Sequence, residues 1–398
     1  MGAGYEARDG SDAMGDRGIT PSAQMGDVVV QWGRIGCTGF GGPPAHIALL
    51  RDLSVDRRQW LTPHEFEDAV AACNLLPGPA STQLAIWCAW RVAGPVGAVV
   101  GGAAFILPGL VAILVLARVF LAGAPPGWVR GAGTGAGAAV AAVAVRAGIG
   151  LVPESWRRAP TRWRWVVYAM LGGVAAATVG PWLVLVLLGC GIVELLWQFP
   201  ERAGRAGAHL WPLATAGAAA GGGLLALVWV AFKVGALAYG GGFVIIPLMQ
   251  ADAVDTYHWM TNTEFLNAVA LGQVTPGPVT HTVAVVGYAA YGIGGALLAA
   301  LVAFLPSFSF VLLGAKRFDA LRRNARVRAF LGGAGPAAVG AIIGVAIPLA
   351  YALDEWWQLG VLAGAAVALL ALRRGVVATL LAASGAGAIA ALLGAPLP

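Results

Sequence analysis

Two Pro-Gly-Pro triplets, Pro77-Gly78-Pro79 and Pro276-Gly277-Pro278, stand inside long apolar stretches, and hydrogen-bond donors follow each of them. Proline ends the helix before it and suits the first turn of the helix after it. Each triplet is therefore expected to start a fresh half-helix, whose free N–H groups and positive dipole end attract anions. The first turns supply Ser81, Thr82 and Gln83 in one place and Thr280, His281 and Thr282 in the other; Asn74, Gln273 and Thr275 lie just ahead. A second pair of stretches is glycine-rich: GCTGFGGPPAHIALL (Gly36–Leu50) and GALAYGGGFVIIPLM (Gly235–Met249). Gly41, Gly42, Gly240 and Gly241 there remove side chains where a backbone or a ligand could approach. Arg34 and Lys233 sit two residues ahead of these stretches. A cation at the centre of an apolar span costs about 3 kcal/mol on insertion scales and marks a functional site by default. Two cations and two helix N-termini at one locus would suit a dianion. The plainer alternatives are a kink in a packed helix for each triplet and snorkelling for each cation.

These paired features follow from an internal repeat. Trp60–Pro79 reads WLTPHEFEDAVAACNLLPGP and Trp259–Pro278 reads WMTNTEFLNAVALGQVTPGP, an offset of 199 (259 − 60) with ten identities in twenty positions. One residue then drops out, so that Pro108 meets Pro306. Thr62-x-x-Glu65 and Thr261-x-x-Glu264 are both capping boxes, which explains the symmetric glutamates better than proton coupling does. His46 and His281 stand alone in apolar surroundings, where a histidine either hydrogen-bonds within the core or reports pH.

The elements that must position these residues lie in a membrane. The chain is 59 % hydrophobic and 11 % charged, with a mean hydropathy of +0.77, whereas soluble domains carry roughly 25 % charge. Apolar runs near 28–50, 66–92, 95–120, 132–150, 164–179 and 181–198 recur as 226–249, 265–290, 292–314, 329–350, 355–371 and 375–395. Two homologous apolar halves with matching helix breaks are the signature of a secondary transporter. The division expected is a polar tail (1–26), a first repeat (27–200), a linker reaching into the next segment (201–225) and a second repeat (226–398). Basic residues sit in short loops, as membrane topology requires, and not in a patch for nucleic acid. Cys37, Cys73, Cys88 and Cys190 form no CxxC and read as packing residues. With no metal-spaced histidine cluster and no phosphate-cradling motif in the sequence, no cofactor or metal is expected.

Loop charge sets orientation, because Lys and Arg collect on the cytoplasmic side. Lys316, Arg317, Arg322, Arg323, Arg326 and Arg328 face a sparsely basic counterpart; Arg157, Arg158, Arg162 and Arg164 face Asp354 and Glu355; Arg51, Arg57 and Arg58 face Asp252 and Asp255. Every pair differs as inversion demands. Inverted halves need an odd number of crossings, so one of six segments must turn back. The Pro-Gly-Pro segment is the candidate, since each of its arms reaches only half of a ~30 Å core. The fold expected is thus an all-α polytopic membrane protein with two inverted halves, about ten crossings and one re-entrant hairpin per half.

FGGPPAHIALL (Phe40–Leu50), NLLPGPASTQLAI (Asn74–Ile86), FKVGALAYGGGFVIIPL (Phe232–Leu248), AVALGQVTPGPV (Ala268–Val279) and FLPSF (Phe304–Phe308) resemble the chromate ion transporter family in its long, two-domain form. The resemblance implies a bacterial or archaeal inner-membrane secondary transporter that exports chromate, confers resistance, uses the proton gradient and responds to sulfate. The partners expected are such an oxyanion and the lipid bilayer, not nucleic acid, with a homodimer as an open option. Sulfate or another tetrahedral oxyanion is the alternative substrate, and a passive anion channel the alternative mechanism. A lipid-modifying enzyme would need clustered acids or a His/Asp constellation, and the sequence offers neither.

Overall fold

The structure, a computed structural model, describes residues 25–74, 76, 78–121, 125–159, 161–178, 182–200, 223–238, 244–314 and 324–398. The tail before Met25, most of the linker, the basic residues Lys316, Arg317, Arg322 and Arg323, and the site candidates Pro77, Gly240 and Gly241 lie outside the described residues. All regular structure among the described residues is helical.

The first half runs α1 (Met25–Thr38), α2 (Pro43–Arg51, extended by a π turn, Asp52–Arg57), α3 (Pro63–Cys73), α4 (Ala80–Phe120), α5 (Gly127–Ala138), α6 (Val140–Arg158), α7 (Arg162–Thr178) and α8 (Leu183–Gln198). The second half repeats the order with α9 (Leu224–Leu237), α10 (Ile245–Gln250, with a π turn, Ala251–Thr256), α11 (Asn262–Val274), α12 (Thr282–Gly314), α13 (Ala325–Gly344), α14 (Ala346–Tyr351), α15 (Trp356–Ala366) and α16 (Val376–Leu392). Leu107, Val111 and Val115 on α4 and Leu297, Leu301 and Leu305 on α12 are exposed. Spaced by four, they form apolar stripes that only lipid can cover. With long apolar helices in both halves, the chain is a multi-pass membrane protein.

Neither α4 nor α12 is one rod. Ala93-Gly94 and Tyr291-Gly292 leave helical backbone, with φ of +66° at Gly94 and +63° at Gly292, a region that a side chain disfavours. The helix reverses there. A Cβ on Gly101 would lie 2.5 Å from Ala89 Cβ, although twelve residues of straight helix span about 18 Å. Gly287 likewise meets Gly295 and Ala299. Each long helix is therefore a short first arm (80–92, 282–290) folded back on a long second arm (95–120, 293–314).

The short arm of α4 pairs with α3. Arg91, at its end, forms an ion pair with Glu65 in the first turn of α3 and lies over Trp87 at 5.9 Å, so both legs of this hairpin end together. Thr62 and Glu65 complete the expected capping box, as do Thr261 and Glu264.

The glycine segments correct the sequence reading. Segments 28–50 and 226–249 were expected to cross once each. Instead the chain turns back within them: Asp27 opens α1 and Arg58 follows α2, yet they pair at 3.3 Å, and Trp32 stacks on Trp60 at 6.1 Å. Lys233 on α9 reaches Asp252, nineteen residues on, at 2.6 Å. At 14 residues, α1 and α9 each span about 21 Å, short of a ~30 Å core. The candidates for full crossing in the first half are then the long arm of α4, α5 with α6, α7, and α8.

The two halves interlock. The long arms of α4 and α12 run antiparallel: Gly102 faces Phe308, while Gly109 and Phe304 both press on the His281 ring. In the outer shell, α7 and α8 of the first half pack on α13, and α16 of the second packs on α5. Small residues permit this, since membrane helices associate through close backbone approach. Gly172, Gly340 and Gly387 each face a carbonyl of the partner helix. Beside these crossings, Glu194 is fully buried and accepts from Tyr168 (3.0 Å) and Gln198 (2.7 Å), with Arg164 paired to it at 3.1 Å.

Candidate functional site

The Pro-Gly-Pro segments form turns between helices, as the residues require. Pro79 caps α4, its carbonyl accepting from Thr82 N (3.0 Å) and Gln83 N (3.1 Å). Pro278 leads through a 3-10 turn, Val279–His281, into α12. Each turn is seated on the opposite half. Gly277 N donates to the Gly39 carbonyl at 3.0 Å, and Pro276 presses its carbonyl against Gly109 on α4. Gly78, in turn, sits beside the Ser307 hydroxyl of α12 and the Gly235 carbonyl of α9. Gly109 and Ser307 are repeat equivalents (307 − 198 = 109), so the halves meet tip to long arm, twice.

Polar side chains at these turns lack partners among the described residues. Thr82 Oγ1, Gln273 Nε2, Thr280 Oγ1 and Ser307 Oγ are buried and make no hydrogen bond among the described residues. The His281 ring lies by the Ile106 backbone but forms no hydrogen bond of normal geometry. Leaving a donor or acceptor buried and unsatisfied costs about 1–3 kcal/mol; several beside the two turns point to a ligand or ordered water there. Three of the expected donors are already engaged, Thr282 Oγ1 donating to the Val279 carbonyl at 2.8 Å. Thr275 Oγ1 donates to the Leu271 carbonyl at 2.9 Å, and Ser81 pairs with His46 at 3.2 Å.

A cavity of about 340 Å³ leads to the first turn. Its inner wall is Asn74 and Gly78, and its outer part carries Glu154, Arg158 and Arg328, with Gly335 and Pro336 of α13 opposite α3. Arg158 pairs with Glu154 one helical turn away, while Arg328 is exposed. The equivalent place in the second half is packed differently. There α11 lies against α5, with Leu266 and Asn267 on Gly133 and Gly137. One hairpin stands off its neighbour; the other is closed on it.

The cation pair is not assembled as the sequence reading expected. Lys233 is met by Asp252 and lies over Trp229 at 5.7 Å, and the position equivalent to Asp252 is Leu53 (252 − 199). Arg34 lies on an exposed face of α1. Gly41 and Gly42 adopt φ of +99° and +76° and form the turn before α2. The close approach expected of the glycines occurs elsewhere, where Gly36 meets the Phe105 carbonyl and Gly235 the Ala303 carbonyl. Among the described residues no group of His, Cys, Asp or Glu could hold a metal.

Sequence reading had not assigned Ser307, Arg158 or Arg328 to the site. Ser307 carried a signal, being a hydroxyl one residue after Pro306 where the first half has glycine after Pro108. The arginines carried none, because only the packing of α6 and α13 near α3 brings them to one cavity.

Comparison with known proteins agrees with the two-fold construction. The family model described as chromate transporter matches twice, over residues 26–195 and 225–392. A chromate transport protein of Cupriavidus metallidurans is 32 % identical over 356 residues, 85 % of this chain and 86 % of that protein. One of Pseudomonas aeruginosa is 30 % identical over 353 residues, 85 % and 84 % of the two chains. An uncharacterized transporter of the archaeon Methanocaldococcus jannaschii is 26 % identical over 348 residues, 82 % and 85 %. No solved structure matches. With both halves matched by one family model, and the breaks, turns and polar residues falling within those halves, the chain belongs to the chromate transporter family.

Proposed function

We propose that the protein is a secondary transporter that carries chromate, or a tetrahedral oxyanion of the same charge, from the cytoplasm across the inner membrane. The observation that carries this reading is the set of buried polar groups at the two Pro-Gly-Pro turns that have no partner among the described residues, with a cavity beside the first turn that carries Arg158 and Arg328. Helix N-termini beside hydroxyl donors suit an oxyanion. Basic residues on the cavity side support a cytoplasmic mouth under the positive-inside rule. Antiparallel long arms and the tip-to-arm exchange support inverted halves, with α1–α2 and α3 with the short arm of α4 as re-entrant hairpins. The difference between the halves favours alternating access over a passive channel, because one hairpin is open and its equivalent is closed.

Proteoliposome uptake of labelled chromate and sulfate, with and without a pH gradient, tests the reading. Thr280→Val and Ser307→Ala should each weaken substrate affinity roughly ten- to a hundred-fold, as losing a hydrogen bond to a charged group costs about 1.5–3 kcal/mol. Unchanged affinity in both variants would move the site away from the turns. Uptake that only follows the electrochemical gradient, and is never driven uphill, would make the protein a channel.

A further inference from the structure

The Gly39 carbonyl, at the end of α1, accepts two hydrogen bonds: one from Gly277 N at 3.0 Å and one from His46 Nε2 at 2.9 Å. A carbonyl oxygen only accepts, so Nε2 carries hydrogen. A neutral imidazole has one N–H, which leaves Nδ1 bare, and the Ser81 hydroxyl 3.2 Å away donates to it. The ring is fully buried, edge-on to Phe105 at 5.1 Å. This network links the second Pro-Gly-Pro turn, through one carbonyl and one imidazole, to the first turn of α4. In this state the single hydrogen of Ser81 points at the ring, and Ser81 has none to offer an anion.

We propose that an oxyanion arriving at the first turn draws a proton onto His46 Nδ1, which reverses the His46–Ser81 hydrogen bond and frees the Ser81 hydroxyl to donate to the anion. This rests on the oxyanion site proposed above. The proton comes from hydronium of the bulk solution: one of its O–H bonds breaks, the electron pair stays on the water left behind, an N–H bond forms at Nδ1, and the Ser81 O–H rotates. The imidazolium then holds Ser81 by donating to its oxygen. A dianion with one new positive charge beside it carries a net single negative charge, which lowers the cost of burying it. Among the described residues His281 is the titratable group that faces His46 across the interface, and no Asp, Glu, Lys or Arg among them pairs with His46. Two adjacent imidazoliums repel, so one proton accompanies each dianion. His46 thus acts as a positioning residue, working through Ser81.

Linkage gives the sign. The complex holds one more proton than the empty site, so affinity falls as pH rises, by up to about tenfold per unit. Sulfate is the probe, because it stays a dianion over about pH 5 to 8, where histidine titrates. Calorimetric titration of the purified protein should show that slope, together with uptake of a proton on binding, read from the dependence of the heat on buffer. His46→Gln keeps an amide that can donate and accept but cannot charge; it should bind sulfate with affinity independent of pH, while His258→Gln, exposed and outside both turns, keeps the slope. Absence of proton uptake in the wild type overturns the inference whether or not His46→Gln folds, and so does a slope that survives in His46→Gln. A wild type that binds neither sulfate nor chromate at any pH overturns the oxyanion-site reading and this inference with it.

Discussion

Lys233 and Arg34 occupy equivalent positions, yet their neighbours give them different work. Asp252 lies beside Lys233 with both side chains largely buried, whereas Leu53 stands at the matching place in the first half. A buried ion pair is worth little against an apolar substitute, but removing one partner leaves a buried charge and costs about 3–5 kcal/mol. Lys233→Gln should therefore destabilise the protein by that order in thermal unfolding in detergent, and adding Asp252→Asn should restore much of the loss. If the single variant is as stable as wild type and only transport fails, Lys233 serves the substrate and not Asp252. Burial raises the Asp252 carboxyl above its ordinary value, against the pull of Lys233. In the single variant that pull is gone, so the loss should deepen as pH rises and the carboxyl is forced to ionise.

Among the elements, the hairpins decide the architecture. Gly94 has φ +66°, and no atom lies within 4 Å of where a Cβ would sit. Gly94→Ala thus tests backbone strain without a clash. It should cost about 1–3 kcal/mol of stability, while alanine at Val96 on the same arm costs little; equal effects would show that the reversal does not depend on Gly94. The tie at the hairpin's open end has its own pH signature. Burial works to raise the Glu65 carboxyl, but hydrogen bonds from Thr62 and the Arg91 charge outweigh it and hold the group below its ordinary 4.5. A carboxyl so lowered stabilises the fold above pH 4.5 and loses that contribution as pH falls through its folded value. Arg91→Gln should bring the acid end of the stability profile back towards higher pH; an unchanged profile would mean that the Arg91 pair contributes nothing.

For the molecule as a whole, the two halves offer one hairpin in two positions. Leu266 Cβ lies 3.0 Å from a Cβ position on Gly137, near disulfide range. Repeat equivalence sends this pair to Glu67 on α3 and Gly335 on α13 (266 − 199, 137 + 198), and Gly335 lines the cavity. With Cys37, Cys73, Cys88 and Cys190 replaced by alanine, Leu266→Cys with Gly137→Cys should cross-link in the present state. Glu67→Cys with Gly335→Cys should cross-link only as the cavity closes, and should stop transport until reduced. If the second pair never forms a bond under turnover conditions, the α3 hairpin does not swing onto α13.

The sequence by itself determined what is local or repeated. Proline in Pro-Gly-Pro must end one helix and start another, so the turns and their first-turn donors were readable. Thr-x-x-Glu closes a capping box within four residues, so the two caps were readable too. An offset of 199 shows a duplicated membrane protein, since homologous breaks cannot fall in register by composition alone. What the sequence could not decide depends on contacts between residues far apart. Segments 28–50 and 226–249 look long enough to cross, and only Asp27 against Arg58 and Lys233 against Asp252 reveal that each turns back. Identical-looking cations part company because a carboxylate nineteen residues away reaches one of them. Ser307 joins the first turn, and the His46 ring ties Gly39 to Ser81, because the long arms of α4 and α12 cross antiparallel. Period and propensity act within a few residues; the site is made by one half closing on the other.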